Sequence, residues 1–329
     1  MTQPKILSLG GGLDSWGMLL DAELRGELPD VAAFVDVGDA TDRDAHPGEW
    51  DGTYRHIEEV VRPWCAARGI SFVEISARTG YPIRPNTKSA RVKEARSLFQ
   101  WLWDMNQIPV SGPNRICTRI AKTERFEAWL DSTYPGQEVE VWIGFDAAEE
   151  DRAADDPNTG KPRGPKLRLR KGTALAITLR NAFAWAKGLA WAMVHANRVN
   201  RFPLIERGLC RCRCEALARA SGYPVPRKSA CMGCCYNTKG DWQRLAVGEP
   251  AVFEKFVQLE DKKPLTSKGK KLTIGEYDSK TQTGTPLRAF IAKSYTPKVI
   301  PCPVCGAAQR ATKATGCGYL EEGRAEAAA

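Results

Sequence analysis

Histidine is scarce in this sequence: His46, His56 and His195 are the three in 329 residues. They are scattered, none beside a nucleophile, so a Ser-His-Asp hydrolase is not expected and each reads as a surface or core residue. Paired carboxylates at catalytic spacing are missing too. No Gly-Lys-Ser/Thr triplet occurs, which excludes a Walker A phosphate loop. Long apolar runs are also absent. The most apolar stretch, 174–196, is broken by Arg180, Asn181 and Lys187, so it reads as a buried or amphipathic helix and not as a membrane span. No charged-then-apolar leader opens the sequence, and no internal repeat is visible. A cytoplasmic location with no membrane partner is expected.

A hydrophobic content of 43% and a charged content of 26% are ordinary for a globular protein, and the length allows one large domain with attachments or two domains. The net charge is +9, with six cations between Lys161 and Lys171. Such a balance permits contact with nucleic acid, through phosphate contacts by that run, although a solvated loop reads equally well. Cysteine is the residue in excess. Eleven thiols in a chain expected to be reduced point to metal ligands, cluster ligands or catalytic thiols before disulfides.

The segment Ser8-Leu9-Gly10-Gly11-Gly12-Leu13-Asp14-Ser15 follows an apolar run and opens an apolar-periodic stretch. Strand, glycine turn and helix together aim backbone N–H groups and a positive helix end at an anion. The glycines allow a phosphate to approach the backbone closely. A dinucleotide fingerprint would need a third glycine where Ser15 stands. The segment resembles the pyrophosphate loop (PP-loop) of the adenine-nucleotide α-hydrolase superfamily, Ser-Gly-Gly-x-Asp-Ser. Gly10 takes the first serine position, and Gly11, Gly12, Asp14 and Ser15 match.

Strands are expected at 5–9, 31–37, 71–75 and 139–143, with helices around 15–25, 53–68, 89–105 and 118–133. This alternation predicts an α/β fold with a doubly wound, mainly parallel sheet. Ligands in such sheets sit beyond the carboxyl ends of the strands, where Asp36 and Gly38 would face a nucleotide. Asp36 reads as readily as a turn cap. Residues 149–172 read as a loop or lid, 174–197 and 250–261 as helices, and 261–271 as linker. The expected organisation is a nucleotide-binding α/β domain over 1–200, a cysteine-rich segment over 201–262 packed on it, and a linker, zinc knuckle and tail over 263–329.

Cys231-Met-Gly-Cys234 is a C-x-x-C pair followed by Cys235, with Cys214 upstream and Cys117 far upstream. Four such thiolates suit a 4Fe-4S cluster, with zinc or a redox dithiol as alternatives. Cys210 and Cys212 read as spectators, and the flanking Arg211 and Arg213 would favour the thiolate form. Cys302-Pro-Val-Cys305-Gly and Cys317 look like a zinc knuckle with half of its partner, a fourth ligand having to come from elsewhere.

Together the motifs resemble the phosphoadenosine phosphosulfate (PAPS) reductase-like branch of the PP-loop superfamily, in the variants carried by phages and mobile elements. The likeness runs over roughly 5–260. It is carried by the glycine loop, Phe34-Val-Asp36-Val-Gly38, Arg115-Ile-Cys117-Thr118 with Lys122, Ile143-Gly144-Phe-Asp146 with Glu150 and Arg152, Phe202 to Glu206, Cys214-Glu215, and Pro226 to Cys234 with Trp242. The resemblance implies a site for ATP (or PAPS) with Mg²⁺. Ser8, Gly10, Gly11, Gly12, Asp14, Ser15, Asp36, Gly38 and Gly144 would line it, and Cys117, Cys214, Cys231 and Cys234 would be cluster ligands. Asp14, Ser15, Lys122 and Arg152 are the catalytic candidates. The chain departs from true reductases in lacking their terminal Glu-Cys-Gly-x-His; its nearest approach is Gly316-Cys317-Gly318.

Three functions follow from this. The first is adenylation of a substrate, above all a nucleic acid such as tRNA or DNA, with pyrophosphate release and sulfur transfer, with a sulfur-donor protein as partner. The second is sulfonucleotide reduction using Cys317. The third is a degenerate nucleotide-binding module acting in nucleic-acid or partner binding.

Overall fold

The structure, a computed structural model, describes residues 3–84, 94–109, 116–153, 198–226, 229–263, 272–278, 283–296 and 299–310. Five strands, β1 (Lys5–Leu9), β2 (Val31–Val35), β3 (Ser71–Ile75), β4 (Val139–Ile143) and β5 (Arg198–Arg201), form one parallel sheet in the order β3-β2-β1-β4-β5. This is the expected α/β fold. The chain direction of assembly reverses beside β1, so the crevice between the ends of β1 and β4 is a topological switch point, where ligands of such folds bind.

Alternation along the strands builds both faces. Leu7, Leu9, Ala32 and Phe34 point to one side, packing with Trp16 and Leu20 of helix α1 (Leu13–Arg25), Ile57, Val61 and Trp64, and Cys214 and Ala218 of the helix Arg211–Ala220. Ile6, Val31, Ala33, Val35, Val139 and Val141 point to the other, covered by Phe126, Trp129 and Leu130 of the helix Glu124–Thr133. A third apolar cluster lies outside the sheet. In it the helices Leu98–Asp104, Lys239–Gly248, Pro250–Lys262 and Leu287–Ala292 pack around Trp101, Trp242 and Phe256.

Three strands fall where the apolar runs predict them, and β2 stops at Val35, two residues short of the expected 31–37. Asp36 ends it by turning its carboxylate onto the N–H groups of Gly38 (2.9 Å) and Ala40 (3.2 Å). The helix expected over 89–105 is described only as Leu98–Asp104, begun by Ser97, whose hydroxyl accepts the Gln100 N–H at 3.1 Å. The segments 51–66 and 116–133 each carry a π-helical turn, at Ile57–Val61 and Arg119–Thr123. Such turns are enriched at functional sites. β5 was not expected. Its sequence Arg-Val-Asn-Arg has no apolar pattern, because an edge strand need bury little. The helix expected over 174–197 and the basic run 161–171 lie outside the described residues. Among the described residues, no helix is long and apolar enough to cross a membrane.

Candidate active site

The glycine loop joins β1 to α1 at the carboxyl edge of the sheet. Gly11 has φ +69°, and a Cβ there would lie 2.7 Å from Thr53 Cγ2, so only glycine fits. Gly10 has open space around its α-carbon and is exposed. Gly12 caps α1 in an extended conformation with no side chain supplying a cap bond. The Ser15 hydroxyl donates to the Gly12 carbonyl at 3.0 Å, and the Trp16 N–H bonds the same oxygen at 3.0 Å. Ser8 lies on β1, half-buried. Gly144, at the end of β4, packs over the Ser15 backbone. The loop therefore lies in the switch-point crevice.

Two residues that sequence reasoning did not place in a site complete this end. Arg211 reaches across to Asp14, with Nε 3.0 Å from Oδ1 and Nη2 against Oδ2, a two-pronged contact. The arginine read as flanking thiols thus serves a carboxylate. Asp146 is fully buried. Its Oδ1 accepts the Ala148 N–H at 2.8 Å and its Oδ2 has no hydrogen-bond partner. Burial, with the Asp14 carboxylate adding and Arg211 opposing, raises the Asp146 carboxyl to about 6. Asp146 did stand among the motif residues beside Gly144, the only signal for it.

Asp36 adopts the turn-cap role. Besides Gly38 and Ala40 it accepts the Tyr54 hydroxyl at 2.5 Å, and burial holds its carboxyl above the usual range against those bonds. Arg125, itself buried, donates to the Asp36 carbonyl at 2.6 Å and to the Tyr81 carbonyl at 2.6 Å. Gly38 lies directly against Gly48, leaving no room for a Cβ on either.

That close approach carries the chain into Glu49, a third site residue that sequence reasoning did not place. Glu49 is wholly buried. One carboxylate oxygen accepts Lys122 Nζ at 2.8 Å and lies 3.7 Å from Cys231 Sγ; the other has no hydrogen-bond partner. Burial alone would lower the Lys122 pKa, but Glu49 and Cys231 outweigh it and hold the ammonium above its ordinary value. Lys122, on the second π turn, thus faces the thiols rather than the glycine loop's Asp14.

Segment 229–237 pairs with this strip. Glu49 and Cys231 form an antiparallel bridge, and the Met232 N–H bonds the Gly48 carbonyl at 2.9 Å. Cys117, Cys231, Cys234 and Cys235 are electrostatic neighbours, and burial raises the thiol pKa of Cys117 and Cys231. At its start the same segment touches the glycine loop, because a Cβ at Gly12 would overlap the Ser229 hydroxyl.

Cys214 does not join them in the structure. It sits in the sheet-side cluster, and a Cβ on Gly17 would lie 2.7 Å from its Sγ; its charged neighbours are Asp14, Asp146 and Arg211. Of the expected quartet, Cys117, Cys231 and Cys234 are thus neighbours, with Cys235 beside them, while Cys214 lies apart in the helix packing.

The expected spectators, Cys210 and Cys212, behave differently as well, meeting the expected zinc-knuckle pair. Cys210, Cys212, Cys302 and Cys305 bring their sulfurs within 4.8 Å of one another. Cys317 lies outside the described residues. So does the side chain of Arg152, whose backbone belongs to the short helix Glu150–Ala153.

No family model and no curated protein matches this chain. Among solved structures it is similar to the U34-tRNA thiolase NcsA from Methanococcus maripaludis, determined with its 4Fe-4S cluster. The TM-score is 0.34 and the identity 16%, over 78% of this chain and 70% of that one. The α/β assignment itself stands on the strand order described above.

Proposed function

We propose that this chain is an ATP-dependent enzyme of the PP-loop type that adenylates an oxygen of a nucleic-acid acceptor and directs sulfur to the activated centre. The observation that carries this reading is the contact of Ser229 with Gly12. It sets a phosphate-shaped glycine turn against the segment that bears three of the four grouped thiols. Nucleotide activation and sulfur chemistry would then share one end of the sheet.

In this reading the backbone of Gly10 to Ser15 and the N-terminus of α1 hold the phosphates. Asp14 and Asp146 are the carboxylates at hand for Mg²⁺, and Asp146 Oδ2, buried and unpartnered, is the kind of oxygen a cation would satisfy. The acceptor oxygen attacks the α-phosphorus and pyrophosphate leaves. A sulfur nucleophile then displaces AMP from the activated carbon. Among the described residues no histidine is placed to act as base, and this chemistry does not need one, since fixed positive charge and a Mg²⁺ held by these carboxylates would supply leaving-group activation.

Cys117, Cys231, Cys234 and Cys235 fit a thiolate-bound group. They are half-buried neighbours, and the Lys122 ammonium is in reach to balance part of the negative charge. A 4Fe-4S cluster held there would supply a site for binding and passing on sulfur. Glu49 and Lys122 orient and charge-balance that pocket.

The test is pyrophosphate release from ATP, screened with tRNA, with DNA and with no acceptor. Release that depends on one nucleic acid and disappears in Asp14→Ala is expected. Release that survives Asp14→Ala sinks the loop assignment.

A further inference from the structure

We propose that Cys210, Cys212, Cys302 and Cys305 form a closed, tetrahedral structural Zn²⁺ site that fastens the C-terminal hairpin to the helix carrying Arg211. The four sulfurs converge to within 4.8 Å of one another. A tetrahedron of Zn–S bonds of about 2.3 Å has edges of about 3.8 Å, so a small inward rotation of the side chains would seat one ion. A cubane spreads its four thiolates over four irons and needs them wider apart, so this quartet suits a single metal.

The local backbone is built for such a site. Cys302 and Cys305 flank a tight turn closed by the Gly306 N–H on the Cys302 carbonyl (2.9 Å) and the Cys302 N–H on the Ala307 carbonyl (2.8 Å). Gly306 sits at φ +73°, a conformation that favours glycine. The amides of Val304 and Cys305 point at the Cys302 sulfur, the second-layer hydrogen bonds that orient a thiolate ligand. On the other side Cys210 caps the helix Arg211–Ala220.

Burial shows why the hairpin needs a metal. β6 (Val299–Pro301) and β7 (Ala308–Arg310) are three residues each, and between 301 and 307 only Cys302 is buried. The apolar cluster there consists of Cys210 and Cys302, with Ala148 and Cys212 against them. A two-stranded hairpin with so little core is not stable on its own. Four thiols that give up their protons to one Zn²⁺ supply what the core lacks.

The third and fourth ligands therefore come from the pair read as spectators, and Cys317 is not required. Anchoring Cys210 also anchors its neighbour Arg211, whose guanidinium holds Asp14 of the glycine loop.

The test is metal analysis of the full-length protein purified under reducing conditions, with Co²⁺ substitution as a probe of geometry. One zinc per chain is expected from this site, replaced by Co²⁺ with the intense visible bands of a tetrahedral tetrathiolate. Cys305→Ser, at an exposed position, and Cys302→Ser should each lose that zinc, while Cys317→Ser keeps it. Limited proteolysis should cut the 299–310 hairpin at least about tenfold faster in Cys305→Ser, a readout independent of nucleotide activity. A wild-type protein that binds neither zinc nor cobalt in reductant overturns the proposal. So does zinc retained by both single variants, or one iron bound in place of zinc.

Discussion

Arg211 and Asp14 are 197 residues apart in sequence, yet Arg211 grips both carboxylate oxygens of Asp14. The pair is mostly shielded from solvent, with side-chain exposures of 16% and 18%. Each partner fixes the other: the arginine orients the carboxylate that opens α1, and the carboxylate holds the first turn of the 211–220 helix against the loop. Lysine has one point charge and cannot reproduce a two-pronged contact. Arg211→Lys should therefore lower ATP-dependent pyrophosphate release roughly ten- to a hundredfold, measured with saturating acceptor. Unchanged release would show that this pair plays no part in the reaction.

Lys122 and Glu49 are the second long-range pair, and Glu49 is wholly buried. Removing the cation leaves a buried carboxylate without its charge partner. Lys122→Met should cost about 1–3 kcal/mol in urea denaturation, less than for a fully buried pair because the lysine is partly exposed, and the double variant Lys122→Met/Glu49→Gln should recover most of it. A double variant as unstable as the single one would show that the loss comes from packing of the lysine stem.

Asp146 gives the protein a pH dependence of unusual sign. Its carboxyl titrates near 6 in the folded protein, above the ordinary 3.8. The folded state thus holds this proton more tightly than the unfolded chain does. The contribution is present in full below the ordinary value and lost as pH rises through about 6. Between about pH 4 and pH 7 this is worth about 3 kcal/mol, and Asp146→Asn should abolish it. The measurement is the difference in unfolding free energy between variant and wild type across that range, in which acid effects common to both cancel. A flat difference would contradict a buried, proton-holding Asp146.

Cys214 and Gly17 are packed so closely that either can be probed by volume. Gly17→Ala puts a methyl group onto the Cys214 side chain and should cost about 1–3 kcal/mol in thermal unfolding. Cys214→Ala should leave iron content unchanged, while Cys117→Ser, Cys231→Ser and Cys234→Ser should each lose iron in protein prepared without oxygen. Iron lost on Cys214→Ala would restore it as a ligand.

Much of the sheet could be read from the linear pattern. Lys5–Leu9, Ser71–Ile75 and Val139–Ile143 are short apolar-rich runs bounded by polar or glycine residues, and each is a strand at those limits. The central strand β2 shows the rule most plainly: all five positions of Val-Ala-Ala-Phe-Val are buried and none is polar. β5 escaped because, unlike the other edge strand β3, it is four residues with a single apolar side chain, Val199. The turn at Asp36 was legible as a cap for a similar reason: its bonds to Gly38 and Ala40 are made within four residues.

By itself the sequence determined the elements whose causes are local: the apolar runs, the glycine turn between β1 and α1, the C-x-x-C spacings and the tight Cys302–Cys305 turn. Only the tertiary structure decided which of these meet. Glu49 on Lys122, Arg211 on Asp14, and Cys210 and Cys212 beside Cys302 and Cys305 join segments about 70 to 200 residues apart, and chain spacing says nothing of such distances. The division of the cysteines follows from the same cause. Cys214 looked like a cluster ligand by its residue type, but helical packing turned its sulfur onto Gly17, and the spacing of 210, 212 and 214 could not show which way a helix would face.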